Sequence, residues 1–274
     1  MMYPSKAVEK HYNTLDPFYQ RLWGEHLHHG LWKTGKESAE KASEQLIDLI
    51  AAAGKIDKTC RVLDIGCRYG ATSRYLARKT EAHVTALTPS PSQWEHGTGV
   101  EPSSINPRYL LGDFLHNTLP SASYDVVLAI ESLGQVADNP LFFKEVARVL
   151  KPGGRFVTCL SLSKENPSPW EVKHLLEPIC SEGRLPSLGT ATDYTKMIES
   201  AGFQPPDFQD LSSAVKKTWS LRTFRTLKGL FVDPEIRRYV LNKHSNPPLA
   251  KTIVRTWAAY STQSIRYGLF STTK

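Results

Sequence analysis

Short apolar runs alternate with amphipathic stretches through the middle of the chain. The runs CRVLDIG, AHVTALT, YLLGD, YDVVLAI and RFVTCLSL are typical of strands. ATSRYLARKT and NPLFFKEVARVL are typical of helices, and the second has apolar residues at helical spacing: Leu141, Phe142, Val146, Val149 and Leu150. Because parallel strands need crossover connections, the alternation predicts an α/β fold with a mainly parallel sheet. Ligands of such sheets bind at the carboxyl ends of the strands.

The pattern changes on both sides of this α/β region. A helical, aromatic-rich segment precedes it, and a Pro/Ser-rich connection follows Ser163. Beyond that connection we predict helices over WEVKHLLEPIC and DYTKMIESAG, a strand near PDFQDLS, a long helical region and an edge strand, IRYGLFSTT. We therefore divide the chain into an N-terminal helical lid (1–53), an α/β core (54–211), a helical cap over the ligand cleft (212–264) and a final strand of the core sheet (265–274).

Composition is that of a globular protein. With 274 residues, 40% of them hydrophobic and 22% charged, the chain can bury one large core, or a core plus a smaller cap. It has no run of about 18 apolar residues to span a bilayer, and its first residues, MMYPSKAVEKHYN, lack a signal peptide's apolar region. We expect a cytoplasmic protein. The four cysteines lie far apart without a C-x-x-C pair, so we expect reduced, buried thiols and neither a metal site nor disulfides.

The formal net charge of +7 is concentrated near the C-terminus, where residues 216–274 hold twelve Lys or Arg and two acids. A solvated helical face is the ordinary explanation, and nucleic acid is not expected because no nucleic-acid-binding motif accompanies the charge. Helical spacing in LRTFRTLKGLF predicts which residues face the core: Leu221, Phe224, Leu227 and Leu230. Arg222 and Arg225 lie off this stripe. Outward cations would favour peripheral contact with anionic lipids, whereas cations in the cleft would require an acidic ligand.

The stretch RVLDIGCRYGATSRYLA joins a predicted strand to a predicted helix through a loop of small residues. Such a loop presents backbone N–H groups to a nucleotide-like ligand. A dinucleotide-binding fingerprint requires G-x-G-x-x-G, but the chain has Gly66, Arg68, Gly70 and Ala71 here. The sequence therefore disfavours NAD.

Asp64, Gly66 and Gly70 in LDIGCRYG resemble the first motif, D-x-G-x-G-x-G, of class I S-adenosylmethionine-dependent methyltransferases. Arg68 stands where that motif has its middle glycine. A Cβ atom there restricts φ and crowds the methionine part of the cofactor, unless the backbone is already in an allowed region. The guanidinium group would turn outward or approach the carboxylate of the cofactor.

Later segments resemble the same family in the same order. HVTALTPSPSQ resembles its second-strand motif, which implies that Thr88, Ser90 and Gln93 lie around the ribose and methionine parts of the cofactor. LLGDF resembles its adenine-binding motif, which implies that Asp113 accepts from the adenine amine and that Phe114 borders the ring. YDVVLAIES and FFKEVARVLKPGGRFV resemble its fourth strand, the following helix and its fifth strand. The resemblance implies a Rossmann-like, seven-stranded sheet that binds S-adenosylmethionine.

Each of these positions also has a purely structural explanation. Gly66 and Gly70 could serve only a tight turn between strand and helix. Asp64 could be a hydrogen-bonding group of the core, and Asp113 a helix N-cap. Phe114 taken alone would be assigned to the core. Their order along the chain is what favours the cofactor.

YNTLDPFYQRLWGEHLHHGLW resembles the N-terminal lid of tocopherol-methyltransferase-like enzymes. The resemblance implies that the two histidines at the end of HLHH line the site, although they could instead cap a helix and pack on the sheet. The candidate catalytic residues are His28, His29, Tyr19, Glu131 and Gln135, the last at a position where many relatives have histidine. Deleting residues 1–32 is expected to abolish activity and leave the core folded.

The expected reaction is methyl transfer from S-adenosylmethionine to carbon, oxygen or nitrogen of a small, largely apolar molecule, such as a quinol, phenol, terpenoid or alkaloid of natural-product metabolism. The acceptor wall could be formed by aromatic residues, although such sets are more often core: Trp219, Phe224, Phe231, Trp257, Tyr260 and Tyr267. Arg68 and Gln135 keep two alternatives open. These are a cofactor-binding accessory protein without turnover, and an enzyme that uses the bound cofactor to assist a cyclisation.

Overall fold

The computed structural model describes residues 25–99, 107–136, 138–183, 185–234, 237 and 249–274. Its centre is a seven-stranded sheet with the strand order β3-β2-β1-β4-β5-β7-β6. The strands are β1 (Arg61–Ile65), β2 (His83–Thr88), β3 (Arg108–Leu111), β4 (Tyr124–Ile130), β5 (Leu150–Ser163), β6 (Asp207–Asp210) and β7 (Ile265–Thr273). Neighbouring strands from β3 to β5 are parallel, and β7 is antiparallel to both of its neighbours. The predicted Rossmann-like fold is confirmed.

Helices connect the strands and cover both faces of the sheet. They are α1 (Ala39–Gly54), α2 (Ala71–Thr80), α3 (Pro91–Gly99), α4 (Asn139–Val149), α5 (Pro169–Glu171), α6 (Glu177–Gly183), α7 (Ala191–Ser200), α8 (Ser212–Val215), α9 (Lys217–Val232) and α10 (Leu249–Ser261). A π-helical turn, Val172–Leu176, links α5 to α6, and 3₁₀ turns at Phe114–His116 and Leu133–Gln135 follow β3 and β4. None of the helices in the described residues is long and apolar enough to cross a membrane.

The final strand, β7, lies inside the sheet. It pairs with β5 along its whole length, from Arg155↔Thr273 to Ser163↔Ile265, and with β6 on its other side. Its side chains are buried at most positions, which requires cover on both faces. The prediction of an edge strand was wrong, because an apolar run shows that a strand is covered but not which strands flank it.

Helix α4 follows its sequence pattern closely. Phe142, Phe143, Val146 and Val149 are buried against the sheet, and Asp138 caps the helix by accepting from the amide of Leu141. The helix ends at Val149, so the next apolar residue of the predicted stripe begins β5. Helical periodicity therefore placed the correct face toward the core.

Helix α9 does not follow its sequence pattern. Its buried stripe is Thr218, Arg222, Thr226 and Gly229. Phe224 and Leu227, which the spacing placed in the core, are exposed. Arg222 is buried because its guanidinium donates to the carbonyl of His28 and lies over the ring of Trp219, 5.0 Å from the ring centre. The inward-facing apolar stripe predicted for this helix was wrong, since specific polar partners inside the fold decided its orientation.

The four cysteines are free thiols. Cys60, Cys67 and Cys159 are buried, and Cys180 is partly buried. Burial raises the pKa of Cys67 and of Cys159, which keeps both as unreactive thiols.

Candidate functional site

The loop after β1 turns through left-handed backbone conformations. Gly66 and Gly70 have φ angles of 74° and 76°. A Cβ atom on Gly66 would lie 2.5 Å from the Cβ of Ser132, and one on Gly70 would overlap the ring of Tyr109. Gly70 also caps α2 without a side-chain hydrogen bond, which leaves the first amide groups of that helix open to a ligand. Close packing and backbone conformation both require these glycines.

Arg68 occupies the same loop with a φ angle of 54°. Few L-residues adopt this left-handed region, and each such residue costs about 1–3 kcal/mol. Its guanidinium Nη2 donates to the carbonyl of Glu131 at 3.5 Å, and Glu131 itself has a φ of 53°. The arginine therefore points neither out to solvent nor along the loop, but across to the end of β4. Its backbone adopts a left-handed conformation that glycine reaches without a steric cost.

A cavity lies between this loop, the first turn of α2 and the segment that precedes α1. Its walls include Glu25, Leu27, His28, Asp64, Gly66, Cys67, Arg68, Tyr69, Ala71, Thr72 and Ile130. Asp64 is buried and accepts a 2.5 Å hydrogen bond from the hydroxyl of Ser73. Burial raises the pKa of Asp64 to about 6, although this hydrogen bond opposes the shift. A cationic group in the cavity would stabilise the ionised carboxylate.

Tyr69 is also on the cavity wall, and its ring lies edge-on to His96, with 5.0 Å between ring centres. Its hydroxyl is buried without a hydrogen-bond partner among the described residues. The backbone carbonyl of Tyr69 is held by the guanidinium of Arg74, which also donates to the hydroxyl of Tyr109 at 3.0 Å. Buried hydroxyls without partners are costly, so this hydroxyl would be stabilised by any polar group that reaches it.

The end of β2 forms a compact hydrogen-bonded turn. Thr88, Ser90 and Gln93 are all buried. The hydroxyl of Thr88 donates to Oε1 of Gln93 at 2.8 Å and accepts from the amide of Ser90 at 3.2 Å. The structure thus brings the three predicted residues together, but it pairs the Thr88 hydroxyl with Gln93 inside the protein.

Asp113 follows β3 and caps the 3₁₀ turn Phe114–His116. One carboxylate oxygen accepts from the amide of Leu115 at 3.0 Å, and the other pairs with Nδ1 of His116 at 2.8 Å. Phe114 is buried with its ring edge-on to Phe142, at 5.3 Å between ring centres. Both residues have the structural roles that their sequence context allowed, and they lie at the carboxyl edge of the sheet.

Glu131, directly after β4, joins segments that are distant in the sequence. Its Oε1 accepts from the amide of His29 at 2.7 Å, from Nδ1 of His29 at 2.8 Å and from the hydroxyl of Tyr267 at 2.7 Å. Nε2 of His29 accepts from the indole nitrogen of Trp219 at 2.6 Å. The Glu131 network therefore ties the N-terminal segment, β4, α9 and β7 together.

The ring nitrogens of both histidines are assigned by these partners. His29 donates from Nδ1 to a carboxylate and accepts at Nε2 from Trp219. His28 lies against the carbonyl of His29 with its Nδ1, at 2.7 Å, so Nε2 accepts from the hydroxyl of Thr72 at 3.1 Å. Both rings are therefore in the neutral tautomer that carries its proton on Nδ1. His28 lines the cavity, whereas His29 is enclosed by the network.

Electrostatics agrees with this assignment. Burial lowers the pKa of His28 and of His29, even though the nearby Glu131 carboxylate favours their protonation. Burial alone would raise the pKa of Glu131, but the attraction of His29 and the hydrogen bonds to the carboxylate hold this pKa well below its ordinary value. Burial and the neighbouring His28 lower the pKa of His26 to about 4. At neutral pH the site contains neutral histidines beside an ionised glutamate.

The remaining predicted site residues are divided between interior and surface. Gln135 is exposed in the 3₁₀ turn after β4, and Tyr19 lies outside the described residues. The predicted aromatic wall separates into two groups. Trp219, Tyr260 and Tyr267 surround His29, whereas Phe224, Phe231 and Trp257 are exposed.

Several residues of the site were missed by sequence reasoning. Thr72 and Ser73 lie in the first turn of α2, and that position was the available signal. Thr218 accepts from the amide of Gly30 and from the indole of Trp32, both at 3.0 Å. No local pattern indicates that pairing, because about 186 residues separate the partners.

Comparison with known proteins agrees with this geometry. Residues 63–158, which run from β1 into β5, match the family described as Methyltransferase domain. Tocopherol O-methyltransferase, chloroplastic, of Arabidopsis thaliana is 29% identical over 248 residues, which cover 82% of this chain and 71% of that protein. The chain is a class I S-adenosylmethionine-dependent methyltransferase.

Other relatives of this methyltransferase differ in what their names say they act on. The 27-O-demethylrifamycin SV methyltransferase of Amycolatopsis mediterranei is 29% identical over 217 residues, covering 78% of this chain and 79% of that protein. The crystal structure of the [4+2]-cyclase SpnF superimposes with a TM-score of 0.79 at 22% identity, covering 98% of this chain and 96% of that one. The likeness to the SpnF structure shows the fold of the methyltransferase and nothing about its reaction.

Two truncations of the methyltransferase should behave differently. Removing residues 1–24 should leave the described core folded, whereas removing residues 1–32 should prevent cooperative folding. Leu27, Leu31 and Trp32 are buried, and their segment supplies the His29 contacts to Glu131. Circular dichroism and thermal unfolding of both truncated proteins would measure this.

This expectation revises the one drawn from sequence, in which the longer deletion left the core intact. Buried residues of the segment are part of the hydrophobic core, and their loss removes several large side chains from it. A protein lacking residues 1–32 that unfolds at the wild-type temperature would contradict the structural role of the segment.

Proposed function

We propose that the cavity beside the β1 loop binds S-adenosylmethionine and that the protein methylates a small, largely apolar acceptor. The observation that carries this proposal is Asp64, a buried carboxylate with a raised pKa on the cavity wall. The α-ammonium group of the cofactor is the kind of cation that would stabilise its ionised form. The sulfonium of the bound cofactor supplies an activated methyl group.

The other cavity residues suit the remaining polar groups of such a ligand. The open amide groups at the start of α2 favour a carboxylate. We assign the ribose side to the turn that contains Ser90 and Gln93, with Thr88 acting through its bond to Gln93. Asp113 and Phe114 are assigned to the adenine, at the neighbouring edge of the sheet. NAD is not expected to bind.

Thr72 and His28 are the groups we assign to the acceptor side of the cavity. Nε2 of His28 is held by the Thr72 hydroxyl at 3.1 Å, so it can accept a proton only if that hydroxyl turns away. His29 cannot serve as a base, since its network occupies both ring nitrogens. An acceptor whose hydroxyl ionises easily, such as a quinol or phenol, therefore fits better than one that needs a strong base.

The N-terminal segment and the helices of 212–264 complete the proposed site. Tyr19 is assigned to the lid and Gln135 to its rim, while Glu131 positions His29 without touching a ligand. The names of the tocopherol and rifamycin relatives support a small, largely apolar acceptor, in keeping with natural-product metabolism.

The test is an assay of methyl transfer preceded by a measurement of binding. Calorimetry should show binding of S-adenosylmethionine and S-adenosylhomocysteine, weakened roughly tenfold by Asp113→Ala if its carboxylate accepts the adenine amine. Asp207→Ala, which alters an exposed aspartate of β6, is the matched control. NAD should give no heat.

Turnover is then measured with methyl-labelled cofactor and a panel of quinols, phenols, terpenoids and alkaloids. Products heavier by one methylene unit are expected. Binding without any labelled product would favour an accessory role, and products of unchanged mass formed only with bound cofactor would favour a cyclisation. Failure of both cofactor forms to bind would reject the proposal.

A further inference from the structure

The outer face of α9 is apolar. Phe224 is 63% exposed, Leu227 48%, Phe231 82% and Val232 67%. These residues are spaced i, i+3, i+7 and i+8, which places them on one side of a helix. Four large apolar side chains on a single exposed helix face form the kind of patch that marks an interaction surface.

Polar residues of the same helix point inward and fix this orientation. Thr218 accepts two hydrogen bonds from the segment before α1, and Arg222 donates to the carbonyl of His28. The hydroxyl of Thr226 bonds back to the carbonyl of Arg222. The helix cannot rotate its apolar side into the core without breaking these bonds, so the exposed face is a stable feature of the fold.

Positive charge accompanies the patch. Helix α9 contains no aspartate or glutamate, and Lys228 is the basic residue on its outer side, since Arg222 is buried and Lys217 lies over the ring of Trp32. Lys228 is exposed, four residues after Phe224 and four before Val232, and therefore lies among the exposed apolar side chains. Helix α10, which packs against α9, also exposes apolar side chains next to a lysine: Val254 and Trp257 with Lys251.

We propose that the outer face of α9 docks on the surface of an anionic lipid bilayer. An apolar helix face with lysines among its aromatic residues inserts shallowly at the headgroup boundary, where anionic lipids attract the lysines. A second copy of the chain is a poorer partner for this face. A symmetric contact would place two acid-free, basic helices against each other.

Vesicle sedimentation with the full chain tests the proposal. Binding is expected to vesicles of phosphatidylcholine mixed with phosphatidylglycerol, with little binding to phosphatidylcholine alone and weaker binding in high salt. The double variant Phe224→Ser/Phe231→Ser should bind at least about tenfold more weakly. Lys228→Ala should weaken binding roughly fivefold. Because these side chains are exposed, all variants should keep the wild-type unfolding temperature.

Trp170→Ser is the matched control, since Trp170 is an exposed aromatic residue on α5, outside α9 and α10. It should bind vesicles like the wild type. Equal, negligible binding to both vesicle types would overturn the proposal, as would binding that the α9 variants leave unchanged. Sedimentation equilibrium tests the alternative that a second copy of the chain covers this face. If the wild type self-associates, the double variant does not, and neither binds vesicles, the face belongs to a second copy.

Discussion

Glu131→Ala should lower the free energy of unfolding by about 3–5 kcal/mol and abolish methyl transfer. Its Oε1 accepts three hydrogen bonds, two from His29 and one from Tyr267. Alanine would leave both His29 donors without this acceptor and leave the Tyr267 hydroxyl only the weak acceptor Cys159 Sγ, at 3.1 Å. It would also release the segment that carries His28 to the cavity wall. Denaturant unfolding of the purified variant, with methyl transfer measured in parallel, tests the expectation.

Two further variants test whether a loss of stability comes from the Glu131 network or from replacing any glutamate. Glu131→Gln keeps an acceptor oxygen and should lose less stability than Glu131→Ala, since hydrogen bonds to a neutral acceptor are about half as strong. Glu199→Ala changes an exposed glutamate of α7 and should have the wild-type unfolding midpoint. If Glu131→Ala also unfolds at the wild-type midpoint, the network contributes nothing to stability.

Asp64→Asn should stabilise the protein without ligand and weaken its binding of S-adenosylhomocysteine at least tenfold at neutral pH. A pKa raised from 3.8 to about 6 corresponds to about 3 kcal/mol that the ionised carboxylate costs the folded state. Asparagine removes this cost, but it cannot offer a charge to the ligand ammonium. Calorimetry and denaturant unfolding on the same preparations measure both effects.

The pH dependence of stability and of ligand affinity tests whether the pKa of Asp64 is raised. Because the folded-state pKa of Asp64 is raised, its cost is absent below pH 3.8, grows between pH 3.8 and about 6, and is complete above that range. The stability advantage of Asp64→Asn should therefore grow with pH across this window, and ligand affinity of the wild type should rise with pH. Asp207→Asn, on exposed β6, should show neither trend. A constant difference between Asp64→Asn and wild type at all pH values would exclude a raised pKa.

The fold was predictable because its signals are local. Strand and helix periodicity identified α4 and the parallel strands β1 to β5, and the glycines of the β1 loop occupy positions where a side chain would collide. The place of β7 was not predictable in the same way. Its partners β5 and β6 are chosen by the assembly of the whole sheet, and a buried run carries no record of them.

The candidate site also has one part that the sequence predicted and another that it did not. Asp64, Gly66 and Gly70 belong to one continuous loop, so the sequence alone indicated a nucleotide-like ligand there and an S-adenosylmethionine motif by resemblance. The geometry of Arg68 was decided by the tertiary structure, because its contact, the carbonyl of Glu131, lies 63 residues away.

Sequence by itself therefore determined the order of the elements, the family and the position of the glycine-containing loop after β1, all of which depend on neighbouring residues. Tertiary structure alone decided the state of the histidines, since Thr72, Glu131 and Trp219 occupy their ring nitrogens from distant segments. It also decided the direction of α9. A 3.6-residue period divides a helix into two faces, but buried partners for Thr218 and Arg222 determined which face turned inward.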